Sequence, residues 1–175
     1  MGALTDVDLS ALWVSVRLAT VTVIVLMIVG TPLAWWLAHT RVRWRPIVEA
    51  AVALPIVLPP TVLGFYILIT LGPYGPLGRF ADLSLAFTFT GLVIASVFYS
   101  MPFVIQPLQG AFEAIGKAPL EAAWSLRASK WDAFLTVISP IALRGYISAI
   151  VLGFAHTMGE FGVVLLVGGS IPGQT

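Results

Sequence analysis

The side chains best suited to chemistry in this sequence lie inside its most apolar stretches. His156 and Glu160 are four residues apart in an apolar run, so a helix would bring them to one face. An ionisable side chain within a membrane span is costly, and by default it faces the protein interior or a water-filled path. We predict a pathway or gating role for Gly159 and Glu160. The alternative is a carboxyl group hydrogen-bonded between helices, with His156 as a candidate partner.

Catalysis by the chain itself has little support. His156 and Glu160 lack the second histidine and the third ligand that a metallohydrolase needs. The sequence has no cysteine, which excludes thiolate metal sites and a cysteine nucleophile. It also has no glycine-rich loop followed by Lys-Ser or Lys-Thr to hold ATP. We therefore predict no catalytic residue, no metal and no cofactor.

A second candidate site is rich in proline. Pro55, Pro59 and Pro60 lie in the apolar stretch 48–71, and each proline removes a backbone donor and disturbs the preceding helical turn. Irregular backbone at membrane depth is tolerated where it is buried in protein or lines a cavity. We predict that this stretch lines a translocation path, and a kinked helix wedged between neighbours is the alternative. The candidates here are Pro59, Pro60, Thr61 and Gly64.

The elements that position these residues are membrane helices. Of 175 residues, 59% are hydrophobic and 10% are charged, against about 25% charged in soluble domains. Nine Lys and Arg against eight Asp and Glu leave no basic surplus for binding nucleic acid. Four stretches are long and apolar enough to span a bilayer. We predict an all-α, polytopic bundle with spans at about 12–38, 48–71, 87–108 and 145–166.

The basic residues predict how the bundle is oriented. Cytoplasmic loops are enriched in Lys and Arg. The loops after spans one and three hold Arg41, Arg43, Arg45, Lys117, Arg127 and Lys130, whereas the opposite side offers Arg79 and Arg17. We therefore predict cytoplasmic loops at 39–46 and 109–132 and an outside N-terminus. The chain stops within what reads as an outer loop, so we expect it to be truncated.

Span four carries small residues at strict four-residue spacing. Such a stripe lets the backbone of another helix approach closely. We predict that it packs against a neighbouring span. Its members are Gly145, Ala149, Gly153 and Thr157.

The charged loop contains a short amphipathic segment. Pro119 suits the first position of a helix, and Glu121 in the first turn favours the positive end of the helix dipole. We predict a helix over 118–129 that docks in a groove of a cytosolic partner. An interfacial helix with its tryptophans among lipid head groups is the alternative. The face that would do either consists of Leu120, Ala123, Trp124, Arg127 and Trp131.

These elements, in this order, resemble the membrane-spanning permease of a bacterial ATP-binding-cassette importer. Glu121-Ala122-Ala123 begins a motif of twenty positions that closes on a proline, here Pro140, and Arg127 stands where the family has glycine. The molybdate permeases are the most similar branch, and the sulfate/thiosulfate and tungstate permeases are alternatives. That narrower resemblance depends on Leu54-Pro55, Leu58-Pro59-Pro60, Gly64, Gly159-Glu160-Phe161-Gly162 and Ile171-Pro172-Gly173.

The resemblance implies a pore-forming subunit of the bacterial inner membrane that leaves ATP hydrolysis to a partner. In the family, two permeases form one pore, two cytosolic ATPase subunits dock on the short helix, and a periplasmic or lipid-anchored protein delivers the oxyanion. It implies coupling roles for Glu121, Ala122, Ala123 and Arg127, and one more span beyond this chain. A self-sufficient channel or a membrane enzyme is the rival class, and a channel would not need the docking helix.

Overall fold

A computed structural model describes residues 2–73, 75–76, 85–160 and 162–169. All regular structure in these ranges is helical, which confirms the all-α prediction. One π-helical segment spans Phe134–Ile138. Arg79, Phe161 and residues 171–173, which the sequence analysis singled out, lie outside the described ranges. The α-helices are α1 (Gly2–His39), α2 (Arg45–Val57), α3 (Pro60–Leu71), α4 (Phe89–Ile115), α5 (Ala118–Ser125), α6 (Lys130–Ala133), α7 (Ser139–Ile141), α8 (Leu143–Met158) and α9 (Gly162–Gly168).

Helices α1 and α4 form the centre of the bundle. Both are long and apolar enough to cross a membrane on their own, and the 27 residues of α4 extend about 40 Å at ~1.5 Å per residue. The two helices run parallel, because Gly30 lies against Ile105 and Trp35 contacts Phe112 with ring centroids 5.2 Å apart. Their C-termini meet at one end of the bundle, called the basic end below because Arg45 and Lys117 lie there.

The second pass through the bundle is broken. Helices α2 and α3 meet at an angle of 112°, and Leu58 and Pro59 between them are extended, with ψ of 134° and 137°. Each precedes a proline, whose ring disfavours the helical conformation of the residue before it. Arg45, at the start of α2, bonds to Glu113 near the C-terminus of α4. Leu71, at the end of α3, accepts a hydrogen bond from the N–H of Leu85, which lies just before the N-terminus of α4. The pair therefore crosses the bundle and does not return to its starting side.

The fourth pass corrects one prediction. A continuous helix from Gly145 to Leu166 was expected, but α8 ends at Met158 and α9 begins at Gly162. The last turn of α8 tightens, since the Glu160 N–H bonds to the Thr157 carbonyl three residues back. Glycine at position 159 also has a weak helix propensity. Glu160 consequently lies in a break between two helices rather than on a helical face.

The bundle core consists of two apolar clusters. At the basic end, Phe112 is fully buried, and Trp35 and Phe134 pack around it with the rings of Trp35 and Phe134 5.1 Å apart. Towards the other end, Leu92 and Val163 are fully buried in a second cluster. Polar side chains lie between the two clusters, at the level where α3 and α9 begin.

Candidate functional site

The breaks in the second and fourth passes meet inside the bundle. Gly162, the first residue of α9, lies against Pro60, the first residue of α3, and a β-carbon at Gly162 would be 3.0 Å from Cβ of Pro60. Further along, a β-carbon at Gly64 would be 3.2 Å from the backbone of Val163. Contacts this close are tighter than ordinary van der Waals contacts, so a side chain at either position would force the two helices to shift apart. The absence of side chains at Gly64 and Gly162 thus allows α3 and α9 to start side by side.

A cavity of about 350 Å³ opens where the two breaks meet. The structure therefore joins the two stretches that were predicted separately as pathway candidates. Pro59 and Thr61 are exposed beside this cavity, and Gly64 is buried between α3 and α9. The lining residues are Pro60, Tyr99, Ala155, His156, Gly159, Glu160 and Gly162.

Glu160 is the buried acidic residue of this cavity. Its side chain is 8% exposed, and neither carboxyl oxygen has a hydrogen-bond partner among the residues that the structure describes. Ser96 of α4 is close enough to interact with the carboxyl group, but its hydroxyl does not meet hydrogen-bond geometry. The expectation of a carboxyl group bonded to His156 is wrong for this structure. Burial without a partner is costly for an ionised group.

His156 instead begins a directed chain of hydrogen bonds. The Thr157 hydroxyl donates to the Gly153 carbonyl at 2.9 Å, so it must accept from the Ser100 hydroxyl, also at 2.9 Å. Ser100 has then used its only proton and must accept from Nδ1 of His156 at 3.0 Å. This order fixes the proton of His156 on Nδ1 and leaves Nε2 as an acceptor when the ring is neutral.

Aromatic rings hold the imidazole of His156 in place. The ring stacks on Phe103 with centroids 3.8 Å apart and an interplanar angle of 21°, and Tyr99 lies 4.8 Å away. Tyr99, Ser96 and Ser100 were not among the site residues predicted from the sequence. Ser96 and Ser100 are polar residues four positions apart in an apolar helix, and that spacing was the signal that could have identified them.

The small-residue stripe of α8 packs against α4. Gly145 lies against Ala111, and a β-carbon at Gly153 would be 2.5 Å from Cγ2 of Val104. Ala149 is fully buried, and Thr157 takes part in the hydrogen-bond chain described above. The stripe brings the two backbones close enough for hydroxyl groups to bond between helices.

The segment predicted to dock on a partner is shorter than expected. Helix α5 ends at Ser125 rather than Ser129, because Arg127 adopts a left-handed conformation with φ of 62°. The Ala128 N–H bonds to the Ala123 carbonyl and the Arg127 N–H to the Trp124 carbonyl, which is the Schellman pattern that ends a helix. Arg127 occupies the position at which glycine is preferred in that pattern.

The exposed face of α5 also differs from the predicted one. Leu120 and Ala123 are buried in the core at the basic end, with 5% and 7% exposure. Glu121, Ala122 and Trp124 point away from the bundle. Ala123 therefore attaches the helix to its own protein, and the surface open to a partner is centred on the other three residues.

A polar network that the sequence analysis did not anticipate closes the basic end. Arg45 bonds to Glu49 at 2.7 Å and to Glu113 of α4. Gln109 donates to Glu49 at 2.8 Å and to Glu113 at 3.1 Å. The four side chains tie the start of the broken pass to the end of α4. Two pairs spaced four residues apart, Arg45 with Glu49 and Gln109 with Glu113, were the available signal.

Comparison with known families gives one decisive match. Residues 30–174 match the model described as binding-protein-dependent transport system inner membrane component. The chain belongs to this family. As a member of this permease family, it is a multi-pass membrane protein and a component of a transport system.

Individual relatives within the permease family have molybdenum or sulfate in their names. The molybdenum transport system permease protein ModB of Azotobacter vinelandii is 58% identical over 98% of this chain and 78% of that protein. ModB of Escherichia coli K12 is 32% identical over 98% and 77%. The probable sulfate transport system permease protein cysT of Chlorella vulgaris is 33% identical over 95% and 64%.

Proposed function

We propose that this chain is the permease subunit of an ATP-driven importer and that molybdate is the solute it passes. The main support for molybdate is the 58% identity to the Azotobacter ModB protein over nearly the whole chain. The described residues place no cluster of cations inside the bundle that would select an anion by charge. Selection of the oxyanion is therefore assigned to a separate binding protein, and the permease passes the ion only transiently.

The translocation path is assigned to the cavity between the two breaks. Broken membrane helices expose backbone groups that are tolerated where they line a cavity, and here both breaks face the same one. Pro60 lines the cavity on the α3 side, and Gly159 and Glu160 line the opposite side. We assign Pro59 and Thr61, exposed beside Pro60, to the approach to this path, and Gly64 to the contact that holds α3 against α9. A second copy of the chain completes the pore.

Coupling to ATP hydrolysis is assigned to α5 at the basic end. Its exposed Glu121, Ala122 and Trp124 offer a small, convex surface that fits the groove of a cytosolic ATPase. Arg127 shapes the turn behind this surface. This assignment makes the basic end cytoplasmic and places the N-terminus outside, as the distribution of Lys and Arg predicts.

Sulfate is the second candidate solute, because the cysT relative of Chlorella vulgaris is 33% identical to this chain. The two candidates separate in one experiment. The permease is produced together with its ATPase and binding protein in a bacterium that lacks its own molybdate and sulfate importers, and uptake of radioactive molybdate and sulfate is measured. We expect uptake of molybdate that a tenfold excess of sulfate does not suppress. Uptake of sulfate alone would overturn the assignment of molybdate, and uptake of neither would overturn the importer.

A further inference from the structure

The carboxyl group of Glu160 lies in the proposed path without a partner that could balance its charge. It is 8% exposed, and its two oxygens lack hydrogen bonds among the described residues. A buried carboxyl group without hydrogen bonds within the protein is expected where a bound proton or a passing ion satisfies it. The inference below depends on the proposed function, because it concerns the ion that crosses this cavity.

The groups that face Glu160 carry no compensating positive charge. Helix α4 contributes Tyr99 and Ser96, and α8 contributes His156. The described residues of α9 include no ionisable side chain, and Tyr66 of α3 lies on the exposed surface. Arg17 of α1 lies over the ring of Phe89, 4.5 Å from its centroid, near the N-terminal end of α4.

An ionised Glu160 would oppose the proposed solute. Molybdate and sulfate are dianions at neutral pH, and like charges at contact distance repel strongly where little water screens them. The oxygens of a fully deprotonated oxyanion accept hydrogen bonds and donate none. A cavity that passes such an ion must therefore offer donors and avoid negative charge.

We propose that Glu160 carries a proton at neutral pH, both in the empty cavity and while the oxyanion occupies it, and that its O–H donates a hydrogen bond to the ion. The hydroxyl of Tyr99, which lines the cavity, is another donor. The Nδ1 proton of His156 is already used in the hydrogen bond to Ser100. The ring can therefore donate to the cavity only through Nε2, and only when Nε2 is protonated as well. The proton of Glu160 stays on the permease, and the ligand class is a tetrahedral, fully deprotonated oxyanion.

Protonation of Glu160 makes uptake dependent on pH. The protonated fraction falls as pH rises, so uptake by the wild type decreases towards alkaline pH. Glutamine retains donor hydrogens but replaces the carboxyl O–H, so we expect Glu160→Gln to lower uptake two- to threefold at about pH 6. Because glutamine cannot ionise, the variant should lose most of the decrease in uptake that the wild type shows towards alkaline pH. Glu160→Leu, which has no donor, loses at least tenfold at every pH.

The uptake test compares variants in liposomes that contain the complete importer. The molybdate uptake of each variant is divided by the uptake of the wild type at the same pH. This ratio cancels the pH dependence of the ATPase and the binding protein. We expect the ratio for Glu160→Gln to rise at least threefold between about pH 6 and pH 8.5, while Asp132→Asn, an exposed carboxyl control, keeps a constant ratio. A constant ratio for Glu160→Gln, or a loss equal to that of Glu160→Leu, would overturn the proposal.

A second measurement does not depend on transport. The infrared difference spectrum between wild type and Glu160→Gln in lipid at neutral pH reports the carbonyl stretch of a protonated carboxyl group if Glu160 carries a proton. Loss of that band in the variant is the expected result. If the variant instead loses a carboxylate band, the proposal is overturned even if molybdate uptake is normal. Because no oxyanion is present in this measurement, its result holds even if molybdate proves to be the wrong solute.

Discussion

Arg127 occupies a backbone conformation that suits glycine better than any other residue. Its φ is 62°, and the two hydrogen bonds that end α5 depend on that conformation. The left-handed region brings Cβ close to the following carbonyl oxygen and costs a residue other than glycine about 1 kcal/mol or more. The turn is therefore retained at some expense in stability, although glycine is absent.

Replacing Arg127 by glycine should stabilise the permease. We expect Arg127→Gly to raise the free energy of unfolding by about 0.5–1 kcal/mol, because relief of the strained φ exceeds the added entropy of the unfolded chain. Thermal unfolding of the purified protein in detergent measures the change. Lys117→Gly is the matched control, since Lys117 is also exposed and basic but has φ of −96°. A gain for the control as large as that for Arg127→Gly would contradict this explanation.

Helix α5 illustrates, at the scale of an element, how two adjacent alanines take different roles. Ala123 is 7% exposed and packs on the protein itself, whereas Ala122 is exposed. The sequence predicted a helix with one apolar face here, but periodicity did not identify whether that face meets the bundle or a partner. The structure resolves this, since Leu120 and Ala123 share the core with Phe112.

The two alanines give a paired test of docking. Ala122→Trp should leave folding intact and reduce recovery of the ATPase with the permease at least tenfold, because the indole fills the contact surface. Ala123→Trp should destabilise the permease by about 1–3 kcal/mol through overpacking. Affinity purification with the ATPase and thermal unfolding distinguish the two effects. Normal ATPase association and uptake in Ala122→Trp would exclude this face of α5 as the coupling surface.

The two breaks differ in how far the sequence predicts them. Pro59 and Pro60 predicted the break between α2 and α3, because the effect of proline on the backbone is local and independent of context. Gly159 gave a weaker signal, since glycine lowers helix propensity without excluding a helix, and Glu160 gave none. The second break depends on tertiary contacts such as Gly162 against Pro60, and these are not visible in a single stretch of sequence.

At the scale of the whole molecule, Arg45 and Lys117 lie at one end of the bundle, whereas Arg17 lies towards the other. Arg45 bonds to Glu113, which brings the segment after α1 next to the C-terminus of α4. Among the described residues two helices are long and apolar enough to span a membrane, or up to four passes if each bent pair counts as one, so the four spans expected from apolar length stay a prediction. The angle of 112° between α2 and α3 and the meeting of both breaks needed the structure.

The proposed orientation can be tested with single cysteines, because the chain has none of its own. Cysteines at Arg43 and Lys117 should both stay unlabelled when intact cells are treated with a membrane-impermeant thiol reagent, and both should react after the cells are opened. Pro73→Cys, exposed after α3 at the opposite end, is the control and should react in intact cells. Labelling of Arg43→Cys and Lys117→Cys in intact cells would invert the topology.

The central claim is that the solute passes through the cavity between the two breaks, and a cysteine at Ala155 tests it most directly. Ala155 lines the cavity, whereas Leu152 on the same helix is 46% exposed and lies outside the lining. Thiols react as thiolates, which form readily in water and poorly in lipid. In the assembled importer, Ala155→Cys should react with a small water-soluble thiol reagent at least tenfold faster than Leu152→Cys, and the reaction should abolish molybdate uptake. Equal reactivity of the two cysteines, or full uptake after Ala155→Cys is labelled, would contradict a path through this cavity.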